Sequence, residues 1–242
     1  QTVKIPDSSK ADLTGKPVNV RNTRIATGME DAKDEEFENA LKAYYCSITY
    51  MDNLVGKVTD ALINKGILDD TIIVFTADHG DYAGEFGIIG KTGNFYDCLV
   101  RVPLIISRSG KESCIRKGKK EDALVELIDI FPTLSQACNL EIPLMAQGTS
   151  RWDLCTGKSI IGADSVFCET SGVVDFKSDD NILKGGKRLL PTDPFSSGPF
   201  SHISQGVMIR KGKYKLSVYS DGFMELYDIE SDECELNNLA DN

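Results

Sequence analysis

Histidine and tryptophan are nearly absent from these 242 residues, with two of the first and one of the second. Seven cysteines are present, but none forms a C-x-x-C pair or has a histidine nearby, which excludes a zinc-ribbon reading. An odd number argues against a fully paired disulfide framework. Buried free thiols are the expected state for most of them, with room for one pair; this leans toward a reducing, cytoplasmic environment and leaves the compartment open. Bases are outnumbered, 27 against 37 acids, for a net charge of −10. The one basic cluster, Lys111 to Lys120, has no interleaved aromatics, so nucleic acid is excluded as a partner. No stretch approaches the roughly 20 apolar residues of a membrane span, and Gln1 begins a polar segment that does not read as a signal peptide.

The length fits one large α/β domain, or one domain with a small appendage. The first 30 residues carry Pro6, Gly15, Pro17 and Gly28 among polar residues and read as an irregular surface segment. From Phe37 apolar residues recur every three or four positions through Leu41, Tyr44, Ile48, Met51, Val55, Val58 and Leu62, predicting a helix whose stripe packs into a core. Asp34, Glu35 and Glu36 suit its N-terminus, and Gly66 its C-terminal cap. Two apolar strands follow, Thr71 to Thr76 and Val102 to Ser107, in an order that suggests a parallel α/β layer. Asp129 before Ile130, Phe131 and Pro132 predicts a capped helix to about Asn139. A short strand is expected at Ser165 to Glu169. Val207 to Arg210, Tyr214 to Tyr219 and Phe223 to Tyr227, joined by Lys-Gly and Asp-Gly turns, read as antiparallel hairpins. The expected division is an α/β core over 1–155 and a small C-terminal subdomain over 156–242.

The most informative stretch is TIIVFTADHGDYAGEFGIIGK. Its apolar run lacks polar alternation, as expected of a strand covered on both faces, and ligands gather beyond the carboxyl ends of such strands. Asp78 and His79 stand there. A carboxylate and a neutral imidazole suit a divalent cation, and Gly80 permits a tight turn with room for a ligand. Taken alone, Asp-His-Gly reads first as an ordinary turn, and its context at the end of an apolar strand reverses that preference. Two adjacent ligands do not complete a shell, since calcium takes about six to eight oxygens.

Four stretches, taken in order, resemble the C-terminal part of a sulfatase of the alkaline phosphatase superfamily. YYCSITYMDNLVGKVTDALINKGILDDTIIVFTADHGD is similar to that family's long helix and metal strand. GKTGNFYDCLVRVPLII is similar to its lysine loop and the next strand. VELIDIFPTLSQACNLEIP is similar to its Asp-x-x-Pro-Thr helix, and IRKGKYKLSVYSDGFMELYDIESDECELNNLA to its closing hairpin. The resemblance implies the C-terminal part of a parallel α/β sheet with flanking helices and a small antiparallel subdomain. It implies that Asp78 and His79 hold a divalent cation, usually Ca2+ with Mn2+ or Mg2+ as alternatives. Lys91 then contacts the sulfate and the leaving oxygen of a sulfate ester, aryl or carbohydrate. His202 is a candidate substrate-pocket residue, although its Gly/Ser/Pro-rich loop favours an incidental surface histidine over that role, and Arg101 reads as a structural ion-pair residue.

The family's nucleophile, a cysteine or serine in C/S-x-P-S/A-R converted to formylglycine, has no counterpart here, and neither do its upstream paired aspartates. Asp69-Asp70 reads as the turn into the strand and Asp179-Asp180 as a solvated loop. The expectation is a chain that corresponds to roughly the C-terminal half of the enzyme, inactive without the N-terminal half. Two alternatives stay open: a phosphodiesterase or phosphonate monoester hydrolase, and a non-catalytic binder of sulfated glycans.

Overall fold

The computed structural model describes residues 3–110, 113–170 and 205–240. Its helices are α1 (Val18–Ala26), α2 (Asp34–Asn64), α3 (Asp97–Val100), α4 (Ile130–Ala137) and α5 (Trp152–Thr156). Its strands are β1 (Ile72–Thr76), β2 (Leu104–Arg108), β3 (Ser165–Thr170), β4 (Gly206–Lys211), β5 (Tyr214–Tyr219) and β6 (Met224–Asp228). These form a two-stranded sheet, β1-β2, and a four-stranded sheet in the order β3-β4-β5-β6. No described helix is long and apolar enough to cross a membrane. The chain divides into two compact units. The first comprises Gln1–Cys46, His79–Arg101 and Cys168–Asn242, and the second Ser47–Asp78 and Val102–Phe167.

The first unit is built around aromatic rings and a buried cation. Leu13, Val20, Tyr82, Phe86, Ile88, Tyr96, Leu99 and Tyr227 form its core. The segment expected to wander over the surface contributes α1, Leu13, Val20 and the buried Lys16 to that core. Its polar residues mask the helix, because only one side of two short turns faces inward and Val20 is the apolar residue that goes there. The Lys16 ammonium lies 4.9, 4.8 and 4.5 Å from the ring centroids of Phe86, Tyr96 and Tyr227. It donates to the Tyr227 hydroxyl at 2.6 Å and to the Glu235 carbonyl, and stands 3.8 Å from the Glu225 carboxylate. Burial pulls the Lys16 ammonium below the usual lysine range, against the opposing pull of Glu225 and Glu235.

The hairpins form as the turn residues dictate. Gly212, in the left-handed region at φ 55°, joins β4 to β5, and Gly222 at φ 87° joins β5 to β6. On β5 the buried Lys215 places its ammonium 2.6 Å from both Asp97 and Glu235. Burial pushes the Glu235 carboxyl up, and Lys215 and the Asp97 amide N–H pull it back down.

In the second unit β1 and β2 pair antiparallel, with Val74 opposite Ile106 and Phe75 opposite Ile105, instead of in parallel as their order suggested. A parallel neighbour requires a crossover, usually helical. The connection between these strands carries only a 3-10 turn and the four-residue α3. Residues Ile72–Phe75 are half-buried, not covered on both faces. The stripe on α2 departs from expectation in the same way: only Phe37 and Leu41 are buried, while Tyr44, Ile48, Met51 and Val58 are exposed. Asp129 does not cap α4 through its side chain. It is buried and accepts from the Thr149 amide and the Arg151 guanidinium, both at 2.7 Å, and so ties the start of α4 to the following loop. Cys46, Cys114 and Cys138 are exposed and the other four cysteines half-buried, so burial does not describe them.

Removing one partner of a buried ion pair leaves an uncompensated charge, at a cost of about 3–5 kcal/mol. Lys215→Met should therefore lower stability by that order, as read by chemical denaturation. Without the cation the Glu235 carboxyl rises further. A group raised on folding stabilises below its unfolded value, and that contribution is lost as pH climbs through the folded one. The deficit of the variant should accordingly be larger at about pH 8 than at about pH 5.

Candidate active site

The chain leaves β1 at Thr76, and Asp78 and His79 follow directly, beyond the strand's carboxyl end. Asp78 is exposed and closes a segment of the second unit, while His79 is half-buried and opens a segment of the first. The His79 ring is oriented by the backbone of the next residue: Nδ1 lies 2.8 Å from the Gly80 carbonyl oxygen, which can only accept. Nδ1 therefore carries the hydrogen, and Nε2 presents its lone pair. The Lys91 ammonium, twelve residues further on, donates to that Nε2. Two of the residues singled out by sequence thus meet in space.

Gly80 is required for a different reason from the one its sequence context suggested. Its amide donates to the Leu99 carbonyl at 2.7 Å, and a Cβ there would lie 1.9 Å from the Cys98 carbonyl oxygen. Close backbone approach, not a left-handed turn, excludes every other residue.

Between His79 and Lys91 the chain folds into a loop pinned at both ends. The Asp81 carboxylate accepts from the Ala83 amide at 2.8 Å and the Gly90 amide at 3.1 Å, and the Tyr82 amide donates to the Gly90 carbonyl at 2.8 Å. Ala83, Gly84, Phe86, Gly87 and Gly90 all have positive φ. Phe86, at φ 53°, is a bulky residue in the left-handed region, a conformation that costs of order 1–3 kcal/mol unless its surroundings enforce it. They do: its ring is buried 4.6 Å from that of Tyr96. Beyond Lys91, the Tyr82 hydroxyl meets Thr92 Oγ1 at 2.7 Å, Thr92 donates to Asn94 at 2.6 Å, and the buried Asn94 bonds Asn19 and Tyr219. Asp81, Thr92 and Asn94 were not singled out from sequence. Their signal is a cluster of small polar residues around a lysine, within otherwise apolar flanks.

The remaining sequence candidates stand apart. Arg101 lies 3.8 Å from Asp97 and is largely exposed. Asp70 belongs to the 3-10 turn before β1 and pairs with Arg108 at 3.3 Å. His202 and the Asp179-Asp180 pair lie outside the described residues.

The donor chemistry of Asp78 and His79 fits a divalent cation in kind. A ligating imidazole commonly donates its other ring N–H to a backbone carbonyl, as His79 does. In number the donors fall short, since no group of three or more His, Cys, Asp or Glu suited to a cation occurs among the described residues.

Comparison with known proteins gives this arrangement its setting. The fold is shared with the phosphonate monoester hydrolase of Agrobacterium radiobacter, at 26% identity and a TM-score of 0.69 over 88% of this chain and 39% of that one. It is thus an α/β fold of the alkaline phosphatase superfamily. The sulfatase family profile matches residues 8–140, and the chain belongs to the sulfatase family. It is 28% identical over 212 residues to the choline-sulfatase of Rhizobium meliloti, covering 88% of this chain and 35% of that protein. It is 36% identical over 144 residues to an arylsulfatase of Clostridium perfringens, covering 60% and 29%. The chain spans about a third of the length of these relatives.

Gly80→Ala should lower the unfolding midpoint. Overpacking costs about 1–3 kcal/mol, and more where the neighbour is backbone that cannot retreat. Thermal unfolding followed by tryptophan-independent far-UV circular dichroism measures the loss, and an unchanged midpoint would contradict the close approach.

Proposed function

We propose that these residues form part of the active centre of a sulfate ester hydrolase, with Lys91 contacting the ester and Asp78 and His79 serving as ligands of a divalent cation, Ca2+ by preference. The observation that carries this reading is the convergence of the Lys91 ammonium on the oriented Nε2 of His79, in a member of the sulfatase family.

Each residue has a physical task. The Gly80 carbonyl orients the His79 ring with Nε2 turned toward Lys91, and a cation taking the Nε2 lone pair would displace the Lys91 ammonium from it toward the ester. The loop closed by Asp81 holds Lys91 within reach of that imidazole. An ammonium there offsets negative charge as it develops on the bridging oxygen of a sulfate ester, which lowers the barrier only if the group is already in place. A bound divalent cation would polarise the ester and stabilise charge in the transition state. The nucleophile, formylglycine in the family's pattern, belongs to residues other than these 242. The chain alone is accordingly inactive, and the working enzyme requires further polypeptide.

Lys91→Ala in the complete gene product should reduce kcat/KM for an aryl sulfate about 10²–10³-fold, the scale of removing one charge-stabilising donor. Initial rates with 4-nitrophenyl sulfate measure it, and a loss below tenfold would remove Lys91 from the reacting atoms. The similarity to a phosphonate monoester hydrolase favours one second reading, hydrolysis of phosphonate or phosphate esters. Turnover of those esters with none of the sulfate would establish it. With only two of its donors, the 242-residue chain should bind Ca2+ weakly in isothermal titration. A submicromolar Kd would contradict the incomplete donor set.

A further inference from the structure

Within the second unit, Arg116 fastens the stretch that precedes α4 to α5. Its amide donates to the Cys155 carbonyl at 2.9 Å, and its guanidinium to the Leu154 carbonyl at 3.1 Å. A Cβ on Gly157, the residue after α5, would lie 2.5 Å from the Arg116 side chain, so the two stretches are in close contact. Cys114 precedes Arg116 by two residues, and between them the Ile115 amide donates back to the Ser113 hydroxyl at 3.3 Å, which curls the approach. Two residues span at most about 7 Å, and a disulfide asks for Cα atoms about 4.4–6.8 Å apart, a separation that this anchorage permits. The thiols themselves are close. Burial raises the Cys155 thiol, its backbone and the Arg116 cation pull it back, and the neighbouring Cys114 thiol pushes it up again. Cys98 and Cys234 are raised instead by burial and by nearby carboxylates. Cys114 is exposed and Cys155 half-buried, so the first is open to a reagent in solution and the second stands behind it.

We infer that Cys114 and Cys155 are a redox-responsive pair that closes into a reversible disulfide and staples α5 to the stretch before α4. The oxidant is a low-molecular-weight disulfide of the glutathione type. Cys114 gives its proton to solvent, and its thiolate attacks one sulfur of that disulfide. The S–S bond breaks, and one small thiolate departs with the electron pair. Cys155 then loses its proton, attacks the Cys114 sulfur and expels the second small thiolate. The two protein thiols are oxidised to one disulfide, and the small disulfide is reduced to two thiols that take up the two protons. The Arg116 cation favours the Cys155 thiolate at the second step. An accessible thiol beside a resolving one is the arrangement of cysteines that respond to oxidants. Closure places α4 and the buried Asp129, with its Thr149 and Arg151 partners, inside one covalent loop, and it removes conformations from the unfolded chain. This assigns the one pair for which the cysteine count leaves room, and it does not rest on the hydrolase reading.

The test incubates the complete gene product with oxidised or with reduced glutathione, alkylates the remaining thiols in denaturant, and maps the unreduced digest by mass spectrometry. After oxidised glutathione, most of Cys114 and Cys155 should be recovered in one joined peptide pair, which dithiothreitol releases. The oxidised form should unfold about 5 °C or more above the reduced one. Cys114→Ser, at an exposed position whose change leaves packing intact, should abolish that rise. Recovery of the two residues alkylated separately after oxidation would overturn the inference, as would arrest at a mixed disulfide with glutathione. Linkage of either to a different cysteine would also overturn it. So would a joined pair that leaves the midpoint unmoved, or a rise of equal size in Cys114→Ser. Because none of these readouts measures turnover, their failure is distinguishable from failure of the hydrolase reading.

Discussion

The first unit hangs on one buried carboxylate. Glu225 accepts from the hydroxyls of Tyr96, Tyr227 and Tyr219 at 2.7, 2.6 and 3.1 Å, with the Lys16 ammonium 3.8 Å away. A charge in such surroundings is tolerable only when surrounded by donors. Burial, aided by the Glu225 charge, raises the hydroxyls of Tyr96, Tyr219 and Tyr227 far above the usual tyrosine range, so they stay protonated and keep donating. The donors come from three distant stretches of sequence. Lys16 brings the N-terminal segment, Tyr96 the segment that follows the lysine loop, and Tyr219 and Tyr227 the hairpins. Satisfying Glu225 therefore fixes the neighbours of the loop that carries Lys91.

That dependence reaches His79 and Lys91 through packing. Phe86 is held in a left-handed conformation because its ring is caught between Tyr96 and the Lys16 ammonium. The glycines on either side let the chain turn twice in ten residues without losing its amide partners. An exposed lysine on a flexible loop would sample many positions, and its charge would be spent largely on water. Here Lys91 is itself exposed, but the loop that carries it is tied by Asp81 to the Ala83 and Gly90 amides and its ammonium is directed at His79 Nε2.

Local patterns made much of this legible in the sequence. The α2 helix, its acidic start and its Gly66 stop follow from spacing and caps. The three hairpin strands follow from turn glycines between alternating residues, and β1 from its β-branched run. The separate roles of His79 and Lys91 came from family resemblance, and their meeting was not legible at all, because no spacing rule brings residues twelve apart together through an irregular loop. What stayed hidden depends on contacts between distant residues. Lys16, Lys215, Glu225 and Glu235 look like solvated charges, yet all four are buried, since each finds its counter-charge or donor far along the chain. The antiparallel pairing of β1 and β2 is hidden for a related reason: the order of elements suggests a parallel layer, and only the absence of a crossover helix between the two strands speaks against it. The α2 stripe was read correctly as apolar and incorrectly as covered, because periodicity shows what a face is made of and not what lies against it.

The arrangement of the first unit also sets an order of events during synthesis. Residues 79–101 emerge from the ribosome well before Glu225 and Glu235, which their tyrosine and aspartate partners require. Until then the lysine loop has no template for its left-handed turns, and the side-chain ammonium of Lys16 has no cage on one side. Pairings this far apart in sequence carry a large loop-closure cost and form late. Premature termination anywhere before the last hairpin would thus release a chain in which His79 and Lys91 are present but not held together. Assembly of the site is in this way tied to translation having run to the end of β6 and beyond, to Glu235.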